Sequence, residues 1–207
     1  LFEGERQLFG ITDAMTRGQS ERLAMLSVEA FETTSIKPKD LTHIGVTLGP
    51  GSFTGLRIGL SFAKGLAAGV GIKLKGAGTL EALAQHGDLL KASRMAVVNG
   101  GRGQIYVQRV AGEQTFTPEI LDQNDEAGLI AFAAAHPTDI LTGPAAVLIS
   151  HYWPQAEMFA QDWPELKTLA RLTLTDTAYD DLTPLYMREA DAIASTRGII
   201  TLESTGS

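Results

Sequence analysis

Gly49, Gly51, Gly55 and Gly59 fall close together in the run Gly49-Pro50-Gly51-Ser52-Phe53-Thr54-Gly55-Leu56-Arg57-Ile58-Gly59. A glycine-rich turn that opens an apolar stretch can wrap a phosphate, because its amides line up and a helix N-terminus carries partial positive charge. Two well-defined versions of that chemistry demand more than glycine. A P-loop needs Gly, four residues and then Gly-Lys-Ser/Thr, since the lysine must reach the terminal phosphates and the hydroxyl must hold magnesium. Counting from Gly49 or Gly51 lands on Thr54-Gly55 or Leu56-Arg57. The dinucleotide fingerprint needs Gly-x-Gly-x-x-Gly and an acid about 20 residues on for the ribose. Here Thr54 stands at the third glycine, and the next strand ends in Lys75-Gly76. Two readings remain for Gly49, Gly51, Ser52, Thr54 and Gly55. Their amides contact an anion or an interface nucleotide, or the loop is structural, with Gly49 and Gly51 supplying unusual backbone angles and Gly55 and Gly59 allowing close helix packing.

Other chemistry is scarce. The chain has no cysteine, which excludes disulfides, thiolate catalysis and cysteine-ligated metal, and fits a reducing compartment. Its histidines, His43, His86, His136 and His151, include no pair three to five residues apart, so no metal site is expected. Acidic residues outnumber basic ones, 24 to 17, for a net charge of -7, whereas a chain that grips nucleic acid alone usually presents a basic face. Arg57 and Lys64 interrupt the longest apolar candidate for a membrane span, Phe53 to Ile72. No basic segment followed by a long apolar run marks a signal peptide. A soluble cytoplasmic protein with no membrane contact is expected.

The elements that position these residues alternate. Leu1 stands where Met would, and "LFEGERQLFG" reads as two short strands turning at Glu3-Gly4, so a missing upstream strand is expected. "SERLAMLSVEAFETT" places Leu23, Leu26 and Ala30 at helical spacing, with Met25 and Val28 widening the apolar surface. After the breaker "KPKDL" come a strand, "THIGVTLG", the glycine loop, a helix from Ser52 to Ala68 and a strand, "IKLKGAG". Thr79 is expected to cap the helix "LEALAQHG". "MAVVNGGRGQIYVQRV" predicts a hairpin turning at Asn99-Gly100-Gly101. A helix near Glu126 to Ala135, a strand "DILTG", a helix from about Ala145 to Tyr152 and an irregular end follow. The pattern is mixed α/β in two lobes, residues 1–90 and 91–207.

The stretch Gly49 to Ala67, with "SERL" before it, "GAGTLEALA" after it and "RGQIY" at Arg102 to Tyr106, resembles the bacterial TsaB (YeaZ) family of tRNA threonylcarbamoyladenosine biosynthesis proteins. The likeness covers about residues 17 to 110, and "PLYMREADA", Pro184 to Ala192, is similar to the family's closing Pro-x-Tyr-x-Arg segment, in which Arg188 is expected to anchor the terminus by a salt bridge.

The resemblance implies a two-lobed actin-like ATPase fold of the sugar kinase and Hsp70 type. It implies a noncatalytic subunit supporting a catalytic homologue, TsaD, which transfers a threonylcarbamoyl group to the adenosine beside the anticodon of tRNAs reading ANN codons. The ATPase TsaE is a third partner, and tRNA is met only indirectly. The first two helices are expected at a four-helix interface used for a homodimer and for TsaD. That assigns Ser20, Glu21, Leu23, Met25, Leu26, Val28, Phe53, Arg57 and Lys64 to partner contact. Departures from the family pattern remove catalytic groups. No His-x-x-x-His pair of the TsaD type is present, Gln19-Ser20-Glu21 stands for His-Ser-Glu, and Asn99-Gly100-Gly101 stands for Asp-Ala-Arg. No cofactor is expected on this chain alone, with ATP or ADP only in the complex. An actin-like ATPase or kinase is the alternative, lacking here a placed carboxylate for magnesium. A metallopeptidase is a third reading, lacking a ligand set.

Overall fold

The computed structural model describes residues 1–15, 17–86, 92–159, 161–175, 178–185 and 187. A short antiparallel pair opens the chain, β1 (Phe2–Glu3) and β2 (Arg6–Gln7). Glu3 lies opposite Arg6, so the turn is at Gly4-Glu5, one residue beyond the expected place. Helix α1 (Gln19–Thr34) leads through a 3-10 turn at Pro38–Asp40 to β3 (His43–Gly49). Helix α2 (Phe53–Val70) then crosses over to β4 (Lys73–Gly78), which lies parallel to β3 with His43 opposite Lys73. This is the strand-loop-helix-strand unit the pattern predicts, since parallel neighbours require a crossover.

Helix α3 (Thr79–Ala84) follows with no linker. Gly78, in extended conformation, is its cap residue and no side chain bonds its first amides, so Thr79 is the first helical residue instead of the cap.

The larger sheet is built from β5 (Ser93–Gly101), β6 (Gln104–Ala111), β7 (Gln114–Thr115), β8 (Glu119–Asp122), β9 (Ile140–Thr142) and β10 (Glu157–Phe159). Its strand order is β10-β9-β5-β6-β7, with β8 also pairing β6. The β5–β6 hairpin turns at Arg102-Gly103, with φ 54° and 80°, and not at Asn99-Gly100-Gly101. Asn99 still pairs with Ile105, and a bulge between Asn99 and Gly101 absorbs the extra glycine.

Helix α4 (Glu126–Ala135) lies where the sequence places it, capped by Asp125, whose Oδ1 accepts from the Gly128 amide at 2.9 Å. The helix expected from Ala145 to Tyr152 is two 3-10 turns, Ala146–Leu148 and Ser150–Tyr152. Its amides bond three residues back, as Ile149 N to Ala146 O does at 3.2 Å, because the tighter winding sets Ala146, Ile149 and Trp153 into the core together. The end read as irregular holds a further helix, α5 (Leu166–Leu172). Among the described residues, no helix is long and apolar enough to cross a membrane.

Strand β5 is buried on both faces from Arg94 to Val98. Met95 and Val97 join Ile105, Val107, Leu129, Leu141 and Trp153 on one side, where Trp153 Nε1 donates to His136 O at 2.9 Å. Ala96 and Val98 meet Tyr106, Val110 and the α3 residues Leu80, Leu83 and Ala84 on the other. Residues 178–185 lie across the smaller sheet. Tyr179 and Gly76 exchange two backbone hydrogen bonds of 3.0 Å, Leu185 N donates to Leu48 O at 2.7 Å, and Lys75 Nζ pairs with Asp180 Oδ1 at 2.6 Å.

Gly143, at the end of β9, has φ +98°, and a Cβ there would stand 2.5 Å from the carbonyl oxygen of Val97. That oxygen belongs to the central strand and cannot step aside. Gly143→Ala is expected to destabilise the fold by about 1–3 kcal/mol. Gly59 inside α2 is the contrast, since an added Cβ meets nothing within 4 Å, so the expected role in close packing is corrected for this chain. Gly59→Ala should gain about 0.5–1 kcal/mol from helix propensity. Urea unfolding of both variants checks the pair, and a neutral Gly143→Ala would refute the steric argument.

Candidate partner interface and glycine loop

The glycine loop is shaped first by Gly49. It ends β3, is buried, and has φ +103°, and a Cβ on it would lie 2.9 Å from Leu56 Cδ1 and 3.3 Å from Leu185 O. Glycine is required there for its backbone angle and for the close approach of residue 185. Gly51 is different, as an added Cβ would make only ordinary contact with Leu56, at 3.9 Å or more, and its φ is not positive. Ser52 caps α2, its Oγ accepting from the Gly55 amide at 3.3 Å, so one of the four free amides of the helix start is taken by the chain itself. Gly51, Ser52 and Thr54 are exposed and Gly55 is half-buried. The loop thus turns β3 into α2 with its own groups.

The α1 residues assigned to partner contact divide between two faces. Leu23 and Leu26 are half-buried and, with Ser27, Ala30 and Phe31, line a groove of about 820 Å³ along β3, which among the described residues pairs only with β4. Met25 and Val28 face outward, 57% and 56% exposed. Helical spacing puts Glu21, Met25, Val28 and Glu32 in one exposed stripe. Ser20 Oγ donates to Glu21 Oε2 at 2.9 Å, and the Glu21 carboxylate is held below its ordinary pKa by its own backbone amide and then by Ser20. No residue of α1 is buried, although the helix is 16 residues long.

Helix α2, packed beside α1, buries Leu60, Ala63 and Ala67 and turns Phe53, Arg57 and Lys64 outward. Arg57 Cζ sits 3.9 Å from the centre of the Phe53 ring, a cation-π contact that fixes the guanidinium over an apolar plate. The structure therefore gathers Met25 and Val28 on one exposed helix face and Phe53, Arg57 and Lys64 on that of its neighbour. Leu23 and Leu26 point away from the first of these faces.

The histidines lie apart. His86 Nε2 is 3.8 Å from Glu165 Oε2, the His136 ring packs edge-on to Phe132, His151 stacks on Tyr152, and His43 is exposed at the start of β3. Among the described residues no group of three or more His, Cys, Asp or Glu side chains is arranged to hold a metal ion. Tyr186 and Arg188 of the closing segment lie outside the described residues. Sequence reasoning passed over a polar cluster formed by Glu81, Gln85, Arg171 and Tyr179 behind the larger sheet. Its one readable signal is Arg94, a cation at an inward position of the apolar run that begins β5.

The family described as "TsaD: tRNA N6-adenosine threonylcarbamoyltransferase" matches residues 13–155. The chain belongs to this TsaD family. Within it the chain is similar to the tRNA threonylcarbamoyladenosine biosynthesis protein TsaB of Bacillus subtilis (strain 168), 41% identical over 69 residues, which are 33% of this chain and 30% of that protein. It is also similar to the TsaB protein of Escherichia coli (strain K12), 28% identical over 182 residues, covering 82% of this chain and 72% of that one. Among solved structures it resembles YeaZ from Pseudomonas aeruginosa, with TM-score 0.59, 18% identity, and 75% of this chain and 76% of that chain covered. At that identity the likeness speaks for the fold, mixed α/β with sheets flanked by helices. The match to the Bacillus protein spans less than a third of its length.

The two faces of α1 differ in what they tolerate. Met25→Glu exchanges one exposed side chain for another, and thermal unfolding of the dilute, monomeric chain should shift by no more than about 0.5 kcal/mol. Leu26→Glu places a carboxylate in the apolar groove and should cost more. Equal losses in the two variants would contradict the division of faces.

Proposed function

We propose that this TsaD-family chain is a noncatalytic subunit of tRNA threonylcarbamoyladenosine biosynthesis. It supports a TsaD homologue that transfers the threonylcarbamoyl group to the adenosine beside the anticodon of tRNAs reading ANN codons. The observation that carries this reading is the exposed apolar stripe Met25–Val28 on α1, a helix in contact with α2, on which Phe53, Arg57 and Lys64 are exposed as well. A helix with no buried residue and large apolar side chains turned outward calls for a covering surface. Two copies of α1 and α2 brought together form a four-helix contact, and a homologous TsaD subunit supplies the same elements. The ATPase TsaE completes the assembly.

The rest of the proposal follows the family likeness. The fold is read as actin-like, with lobes 1–90 and 91–207. ATP or ADP is handled only in the assembled complex, in the cytoplasm. The acidic chain, with net charge -7, reaches tRNA through its partner, because like charge opposes direct contact with a polyanion.

The test is partner exchange. The isolated chain should be a homodimer by light scattering, and adding the TsaD homologue should convert it to a heterodimer, since one surface cannot be buried twice. Met25→Glu should weaken both associations at least about ten-fold, because a charge stranded in a desolvated contact costs on the order of several kcal/mol. The purified chain should hydrolyse neither ATP nor peptides. Intact association of Met25→Glu with both partners would overturn the interface, and turnover abolished by a point substitution in this chain would overturn the noncatalytic role.

A further inference from the structure

A cleft of about 850 Å³ lies between α3, α5 and the segment running from β6 to β8. Glu81 and Gln85 line it from α3, Gln108 and Glu113 from the sheet side, and Arg171 and Tyr179 close it. Behind its wall is Arg94, 1% exposed, on the face of β5 that meets α3. Arg94 Nη2 donates to Gly112 O, itself part of the cleft wall, at a long 3.3 Å. Its Nε and Nη1 are buried without a hydrogen-bond partner. Among the described residues it makes no ion pair.

A guanidinium stays charged at any ordinary pH, and a buried charge is costly unless paired and hydrogen-bonded. Here the charge that acts on it is of its own sign. Burial first, and then Arg171, push the Arg94 pKa down. Arg171 holds its own guanidinium at the cleft, donating from Nη2 to Gln85 O and Oε1 at 3.3 and 3.1 Å. Glu81, whose Oε1 accepts from Gln85 Nε2 at 3.1 Å, and Glu113 also line the cleft, and burial raises the Glu81 pKa against the opposing effect of Arg171. Neither carboxylate pairs with Arg94, whose buried charge has no counter-ion in contact among the described residues.

We propose that this cleft binds a small oxyanion, a phosphate- or carboxylate-bearing compound, held directly by Arg171 and stabilised by the uncompensated field of buried Arg94. The carboxylates of Glu81 and Glu113 at the same walls disfavour a polyanion as large as RNA. The volume suits a small organic molecule.

The test is an amide NMR titration of the full chain at constant ionic strength, with inorganic phosphate in one arm and acetate in the other. Saturable shifts are expected at Gln85, Gly112 and Glu113, and the stronger arm identifies the headgroup. Arg171→Gln and Arg94→Met should each raise the dissociation constant at least about ten-fold. Arg94→Met should also melt above the wild type without anion, since it replaces an uncompensated buried charge by apolar volume. Absence of saturable shifts in both arms, or an unchanged constant in Arg171→Gln, overturns the site. A lower melting temperature for folded Arg94→Met overturns the unpaired charge. If that variant fails to fold, the exposed Arg171→Gln decides alone.

Discussion

Burial of α3 on two sides is the constraint on which the rest of the structure depends. Leu80, Leu83 and Ala84 are at most 1% exposed and close over Ala96, Val98, Tyr106 and Val110 of the larger sheet. Ala82, fully buried, meets Ala77 of β4 and Leu172 of α5. A helix of 6 residues cannot hold itself in water, because nucleation costs more than so few bonds return. Its helicity comes from those contacts, and each buried leucine contributes about 1.5–3 kcal/mol. With β4 running straight into it, α3 locks the two-stranded sheet to the six-stranded one. The backbone bonds between Tyr179 and Gly76 then hold the end of β4 from the other side.

That locking uses the inner face of the smaller sheet and leaves α1 outside it. Helix α2 spends Leu60, Ala63 and Ala67 on the fold, but α1 rides on α2 and spans a groove. Nothing within the described chain fully covers either of its apolar rows. The inner row, Leu23, Leu26 and Ala30, still faces the body of the chain, whereas Met25 and Val28 face away from it. The difference between an inward and an outward apolar row is therefore internal to α1, one face for each.

The helices and the paired strands were legible because their periods differ and their breakers are strong. "KPKDL" and the glycine loop bound β3, and Asn99 to Gly103 mark a reversal even though the turn falls two residues late. The place of that turn was hidden because Arg102 adopts a positive φ usually left to glycine or asparagine, while Asn99 remains in the ladder and its Oδ1 accepts from the Gly101 amide. Helix α5 was hidden by its brevity and by the Pro and Asp residues around it. Only the pairing of Thr168 and Leu172 on one buried face gives it away. At the candidate interface, the sequence shows that α1 is apolar on more than one side, but periodicity alone does not say which row is turned inward. That depends on where α2 and β3 lie. The cleft beside Arg94 was less legible still, since its walls come from α3, the β6–β8 segment and α5, far apart in the chain.

Charge gives the outer face a direction as well as a location. The α1 stripe is flanked by Glu21 and Glu32, and the α2 face carries Arg57 and Lys64. A two-fold axis that crosses the helices would set the acids of one copy against the cations of the other, which is the self-complementarity an isologous contact needs. Such exposed pairs are worth little in affinity, about 0–1 kcal/mol each, but they fix register and exclude partners with the wrong sign. In the proposed assembly, choice between a second copy and a homologous subunit would rest on a difference of affinities at one shared apolar centre. Met25 suits that task, since an unbranched thioether repacks against surfaces of unlike shape where a β-branched side chain would not. Arg57, already stacked on Phe53, presents its charge in a preset orientation and would lose less freedom in any contact made there.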